Sequence, residues 1–354
     1  MPEEVLVLDR TQVRRCAARI DPVAVTEEVL RRHARAEVML PAEGYMAWRN
    51  SEGAYSRSIA MLGALTGSDP VYGLKLINAS VGNPSKGMER AGGISLLFDP
   101  ETARPRLLAE AGYLSALRTA AYTVASLRRL GPESFDAVSV IGCGTLARAH
   151  LELIGRYLPQ VTRVHAFDTD ARRGAGFARW AAERGPAMRV ESAPSARACV
   201  AASRVVITLT VSDKPYAEID WFRPGSFVAH VSLDDLCEDV FAGAERLYVD
   251  DVQLIAENPR RILGRLLQEG AILPGDAEVA DPAREVRRGV VSGTLGEVLI
   301  GKVPAARPTD GVVVSNPFGM SILDVGMVNA IRGVAERDGL GTRINLLGTD
   351  GEAR

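Results

Sequence analysis

Lysine is nearly absent from this chain. Only four of the 42 basic residues are lysines, at positions 75, 86, 214 and 302. Codon bias toward arginine accounts for that pattern, so a lysine kept inside an apolar stretch stands out. Cysteine and histidine are equally sparse. Cys16, Cys143, Cys199 and Cys237 are scattered without a C-x-x-C pair, and His33, His150, His165 and His230 show no ligand spacing. This argues against a metal site and fits four free thiols in a reducing compartment. Charge of one sign is missing too: the net charge is −2 and no like-charge block occurs, which argues against a nucleic-acid partner. No apolar run approaches the ~18 residues of a membrane span. Met1-Pro-Glu-Glu lacks the basic-then-apolar plan of a signal peptide, and a cytoplasmic protein is expected.

What is present is the composition of an ordinary globular protein, 47% hydrophobic and 24% charged over 354 residues, a length that suggests about two domains. Val5–Leu8 reads as a short strand, with Asp9 as cap of a helix reaching Ile20 and Asp21-Pro22 starting another. Between Pro41 and Glu110 the pattern is one of short strands with turns at 66–70 and 99–102: Tyr45–Trp48, Ala54–Leu65, Val71–Ala79, Gly93–Phe98 and Arg104–Ala109. Leu114–Leu130 has apolar residues at helical spacing, and Gly131-Pro132 ends it. Strand–helix alternation follows, with strands at 138–141, 162–167, 188–191, 204–208, 227–231 and 247–249 and a last one at 312–314. That alternation predicts a doubly wound, mostly parallel α/β sheet. Met320–Glu336 reads as a long returning helix.

Within that region Val138–Ile141 is a buried strand broken by Gly142 and Gly144, and Thr145 opens a helix. A strand, a glycine turn and a helix N-terminus put unpaired N–H groups and the positive end of a helix dipole at one spot, an anion site suited to a pyrophosphate. The G-x-G-x-x-A pattern alone also fits an ordinary tight turn. Asp168 adds to it, ending the next strand 24 positions beyond Gly144, where an acid can accept ribose hydroxyls; the expected offset is about 20.

Several separate stretches resemble the ornithine cyclodeaminase/mu-crystallin family: Lys75–Asn78, the 98–102 turn, Ala116–Ala121, Ile141–Gly144, Phe167–Asp170 and Ser315–Asp324. They occur in family order and cover nearly the whole chain. The resemblance implies an NAD(P)-dependent enzyme acting on a small amino-acid substrate, usually a homodimer. It implies a Rossmann domain, here 131–317, inserted in an α+β substrate-binding and dimerisation domain formed by 1–130 and 318–354. Asn83–Ala91, His230–Leu233 and Pro317–Asp324 are similar to one branch, the dehydrogenases that release 2,3-diaminopropionate from N-(1-amino-1-carboxy-2-ethyl)-glutamate, enzymes of siderophore and peptide-antibiotic pathways.

Lys75 sits in the apolar run Val71–Ile77, where an ammonium is costly without an anion partner. It is a snorkelling edge lysine or, by the resemblance, the lysine that binds a substrate carboxylate or acts in catalysis. Arg118 offers a carboxylate its planar fork, or makes a helix salt bridge. Arg49 matches a branch arginine, and Arg90 and Lys86 lie in the branch loop, either on further carboxylates or as exposed loop charges. Asp234 follows the 227–231 strand; cyclodeaminases carry a catalytic aspartate in this region, the diaminopropionate branch usually does not, and a helix cap is the alternative. For the cofactor, NAD is expected, since Asp168 repels a 2′-phosphate, although Arg172 and Arg173 follow closely. Gly142, Gly144, Thr145, Leu146, Asp168, Thr208, Thr210, Ser212 and Gly319 are its expected contacts. The chemistry implied is hydride removal from a substrate Cα and hydrolysis of the imine. Ornithine or lysine cyclodeamination, imine reduction, and nucleotide binding without catalysis are the alternatives.

Overall fold

The computed structural model describes residues 4–184, 188–275 and 289–346. The chain divides into two compact units, Met1–Arg118 with Met320–Arg354, and Thr119–Gly319. The first cut lies earlier than the expected 130/131, inside the helix Gly112–Leu130. The second half of that helix is bonded within the second unit: Thr123 pairs with His150 Nε2 at 3.0 Å and Ser126 with Ser315 at 3.1 Å.

The first unit is built on an eight-stranded sheet. Its order is Thr342–Asn345, Glu4–Leu8, Pro105–Glu110, Ala91–Phe98, Val71–Ser80, Tyr55–Leu65 and Val38–Met39, with Gly44–Arg49 also paired to Tyr55–Leu65. Pairing is antiparallel except between Glu4–Leu8 and Pro105–Glu110. Residues directly opposite in such a ladder share a face, and the two faces differ. On one, Gly63, Gly73 and Lys75 lie under the helix Ser321–Asp338, which also packs on the helices Arg10–Ala17 and Pro22–Ala34. Gly63 makes that approach possible, because a Cβ there would lie 2.5 Å from Ser321 Oγ. The other face is open. Leu62, Leu74 and Leu96 form one cross-strand row on it, and Leu62, Met46 and Met39 are 47%, 61% and 55% exposed.

The second unit is a nine-stranded, wholly parallel sheet: Arg189–Ser192, Arg163–Phe167, Ala137–Ile141, Val205–Thr208, Ser226–His230, Val312–Asn316, Arg246–Val249, Gly289–Thr294 and Ile272–Leu273. From Ala137–Ile141 the chain winds outward one way and then returns to add Val205–Thr208 on the other side. The switch point of a Rossmann-type sheet therefore lies at the ends of those two strands. Their side chains are buried throughout, as expected of strands enclosed on both faces.

Four strands have no counterpart in the sequence expectation. Thr342–Asn345 is an exposed edge, Gly289–Thr294 is interrupted by glycine, and Val38–Met39 and Ile272–Leu273 are two residues each, so none carries a readable apolar period. The helix contact in the first unit yields a direct test. A Cβ at Gly326 would fall inside contact distance of Val29 Cγ2, a branched side chain with little freedom to move. Gly326→Ala is expected to lower stability by about 1–3 kcal/mol in urea unfolding; an unchanged midpoint would contradict this packing.

Candidate active site

In the first unit three side chains distant in sequence form one buried cluster. Lys75 Nζ donates to Asp324 Oδ2 at 2.7 Å, and Arg118 Nε donates to Asp324 Oδ1 at 3.2 Å. Lys75 is 2% exposed, Asp324 1% and Arg118 9%. The sheet supplies the lysine, the second turn of the helix Gly112–Leu130 supplies the arginine, and the first turn of Ser321–Asp338 supplies the aspartate. Burial and the Arg118 charge push the Lys75 ammonium down to about 8, against the opposing pull of Asp324. With Lys75 protonated the cluster holds two cations and one anion. Among the described residues Arg118 hydrogen-bonds through Nε alone, leaving the N–H groups of both terminal nitrogens for another acceptor. The arrangement can hold a carboxylate, and Lys75 can exchange a proton near neutral pH.

The other basic residues expected here are disposed differently. Arg49 donates to the Gly53 carbonyl at 2.8 Å at the hairpin end, and Lys86 is paired with Glu52 at 2.7 Å on the surface. Arg90 is largely enclosed. Burial, and then the neighbouring Arg57, lowers its pKa. Asp324 ends the Ser315–Asp324 stretch of the family resemblance, yet neither it nor Arg57 is assigned a role from the sequence. The signal for Asp324 was a single acid in the apolar run Ile322–Met327, the complement of a single lysine in an apolar strand.

In the second unit the glycine turn sits at the switch point. Gly142 has φ +95°, and a Cβ there would lie 2.9 Å from the Leu209 carbonyl, so only glycine fits this backbone approach. Gly144 caps the helix Thr145–Tyr157 without a side-chain bond, which leaves the first-turn amides, Thr145 and Leu146 among them, to an anion. Asp168 is drawn to the same turn: its Oδ2 accepts from Cys143 N at 2.9 Å and its Oδ1 from Asp170 N at 2.9 Å. A pyrophosphate on the helix and a ribose diol on Asp168 fit this cradle.

Several expected groups in this unit are already committed. Asp234 Oδ1 accepts from Ile262 N at 2.7 Å and from Arg265 at 3.1 Å, capping the helix Ile262–Gln268 from outside its own segment. Thr208 is buried against Ser232 Oγ at 2.9 Å, Thr210 is bonded to Asp235, and Ser212 Oγ donates to the Lys214 carbonyl at 2.7 Å. The Gly319 amide donates to Asp250 Oδ2 at 2.7 Å, beside Phe318 N on Oδ1 at 2.7 Å. Arg261 holds the carbonyls of Pro317 and Phe318 at 2.9 and 2.6 Å, so this connector is bonded on both sides. His230 is fully enclosed and burial takes its pKa down to about 4. It is neutral near pH 7: Nε2 accepts from Asp235 N at 3.3 Å and Nδ1 pairs with Asn316 Oδ1 at 2.5 Å. Among the described residues no cluster of three His, Cys, Asp or Glu could hold a metal ion, and no helix is long and apolar enough to cross a membrane.

The chain is similar to known proteins over its whole length. It is 30% identical over 351 residues to N-((2S)-2-amino-2-carboxyethyl)-L-glutamate dehydrogenase of Staphylococcus aureus, covering 98% of this chain and 100% of that one. Among solved structures, CmnK is 55% identical with a TM-score of 0.90, covering 98% of this chain and 100% of that chain. An archaeal alanine dehydrogenase dimer with bound NAD shares the fold, with a TM-score of 0.79 at 23% identity, covering 97% of this chain and 99% of its own. The model of one family matches residues 3–338, and the chain belongs to that family, ornithine cyclodeaminase/mu-crystallin.

Proposed function

We propose that this protein oxidatively cleaves N-(1-amino-1-carboxy-2-ethyl)-glutamate with NAD, giving 2,3-diaminopropionate, 2-oxoglutarate and NADH. The observation that carries this reading is the Lys75–Asp324–Arg118 cluster, a buried carboxylate site with one excess positive charge, in a chain similar throughout to a dehydrogenase of that name. The second unit is the cofactor domain. Gly142, Gly144 and the first turn of Thr145–Tyr157 cradle the pyrophosphate, and Asp168 takes the adenosine ribose, favouring NAD over NADP. When bound, NAD supplies the hydride acceptor.

The chain's own residues do the rest. Arg118 holds the α-carboxylate of the glutamate moiety in either protonation state of Lys75, because guanidinium does not titrate in this range. Lys75, brought down to about 8, is neutral in part near pH 7 and takes the proton that leaves the secondary amine as its Cα loses hydride. Water adds to the resulting imine, and the C–N bond breaks to release the diamine and the keto acid. Asp234 is less suited to be the base, since its carboxylate already serves Ile262 and Arg265. This weighs against cyclodeamination. The enzyme mixed with NAD and the glutamate adduct should raise absorbance at the NADH band in step with 2-oxoglutarate. Lys75→Ala should cut turnover by about 100-fold or more, the scale of a lost general base, while NAD still binds. No NADH from the adduct, with turnover of ornithine instead, would reject the reading.

The open sheet face of the first unit is the proposed homodimer surface, because a contiguous apolar row of this kind marks association. The archaeal relative is described as a dimer. Light scattering after gel filtration should give a dimer for the wild type and a monomer for Leu62→Asp; a monomeric wild type would contradict it.

A further inference from the structure

Under the proposed function the glycine turn and Asp168 hold the pyrophosphate and the adenosine ribose, which leaves the nicotinamide half of the dinucleotide. In a sheet of this kind that half lies across the switch point, over the ends of Val205–Thr208, Ser226–His230 and Val312–Asn316, which are neighbours in that order. The hydroxyls expected there are already bonded, Thr208 to Ser232, Thr210 to Asp235 and Ser212 to the Lys214 carbonyl. Asn316 differs. It is the last residue of its strand and 1% exposed, and its Nδ2 has no hydrogen-bond partner among the described residues. His230 fixes which amide atom is left over. It ends the adjacent strand, one step beyond the Ala229–Ser315 pair, and its Nε2 accepts from Asp235 N at 3.3 Å. The neutral ring therefore carries its proton on Nδ1 and donates it to Asn316 Oδ1. Phe241 meets the ring edge-on, with centroids 5.7 Å apart. A run of bonds from a backbone amide through an imidazole thus ends on an NH2 group whose two hydrogens are unused. Val312, Val313 and Val314 show what the strand carries where packing alone is at stake. A buried donor without an acceptor lowers stability, and at the carboxyl edge of such a sheet the missing acceptor belongs to a ligand.

We infer that Asn316 Nδ2 donates to the carboxamide oxygen of the nicotinamide and so sets which way the reacting ring is turned. This rests on the proposed cofactor cradle of the second unit. The carboxamide carries the one carbonyl oxygen of the nicotinamide, and an uncharged NH2 donor suits it without adding charge beside the ring. The reach agrees. From Val205–Thr208, at the switch point, to Val312–Asn316 is two strand spacings, about 10 Å, which one mononucleotide half spans. A bond at the carboxamide fixes the ring's rotation about its link to the ribose, and with it the face of the ring that meets the substrate Cα. Orientation of that kind is what hydride transfer requires, since the reacting atoms must approach in line and close to contact. His230 acts through Asn316 as a positioning residue: its Nδ1 holds the amide oxygen, and the donor is thereby turned to the remaining side.

Calorimetric titration without substrate tests this with two ligands, NADH and ADP-ribose, which lacks the nicotinamide. Asn316→Ala removes the whole amide, while Asn316→Asp keeps an acceptor for His230 and loses the donor. Each should weaken NADH by about tenfold, the scale of one buried hydrogen bond left unmade, and leave ADP-ribose unchanged. The wild type should also prefer NADH to its thionicotinamide analogue, in which a sulfur, a poor acceptor, replaces the carboxamide oxygen; both variants should lose that preference. Equal loss of NADH and ADP-ribose, as an amide that only held an internal water would give, overturns the inference. So does wild-type NADH affinity in both variants. If NADH binding depends on Asn316 but the glutamate adduct is not turned over, the nicotinamide contact stands and the substrate reading fails.

Discussion

One buried carboxylate organises the first unit. Asp324 neutralises Lys75 and orients Arg118, drawing together three elements separated by up to 249 residues of chain. Without it an ammonium and a guanidinium would face each other in an apolar setting, a cost of several kcal/mol. With it the pair is tolerable yet incompletely neutralised, and the residual charge gives the cluster its use. The glycines of the Tyr55–Leu65 and Val71–Ser80 strands serve the same end. By admitting the helix Ser321–Asp338 close to the sheet, they bring Asp324 within bonding distance of Lys75.

The hydrogen bonds a polar group already makes bear on the role it can take. Asp234, Asp250 and Asp235 are acids in a ligand-bearing region of the sheet, yet each has backbone or side-chain donors of its own. They build loops and caps. Arg118, Arg57 and Arg90 are the reverse, cations whose donors exceed the acceptors around them.

Much of this was legible in the sequence, for physical reasons. The doubly wound sheet follows from strand–helix alternation, and Gly142 announces itself because a positive φ admits few residue types, with Asp168 at the end of the next strand bonded to the same turn. Lys75 was conspicuous as an ammonium in an apolar strand. Its partner was not: an aspartate in a helix first turn reads as a dipole complement, and only tertiary packing turns it inward. The unit boundary inside Gly112–Leu130 was hidden too, because an amphipathic period does not say which core each half of a helix joins.

The scarcity of lysine makes the central claim directly measurable. With only four lysines, protein labelled with carbon-13 at lysine Cε gives four resonances, and Lys75→Arg assigns the one of interest. That resonance should titrate near pH 8, well below the ordinary ~10.4 of a lysine, while that of Lys302, paired with Glu297, should lie above it. Adding 2-oxoglutarate should move the Lys75 midpoint upward, because a carboxylate in the cluster favours the ammonium. A Lys75 resonance titrating near ~10.4, indifferent to the ligand, would contradict a buried, incompletely neutralised Lys75–Asp324–Arg118 site.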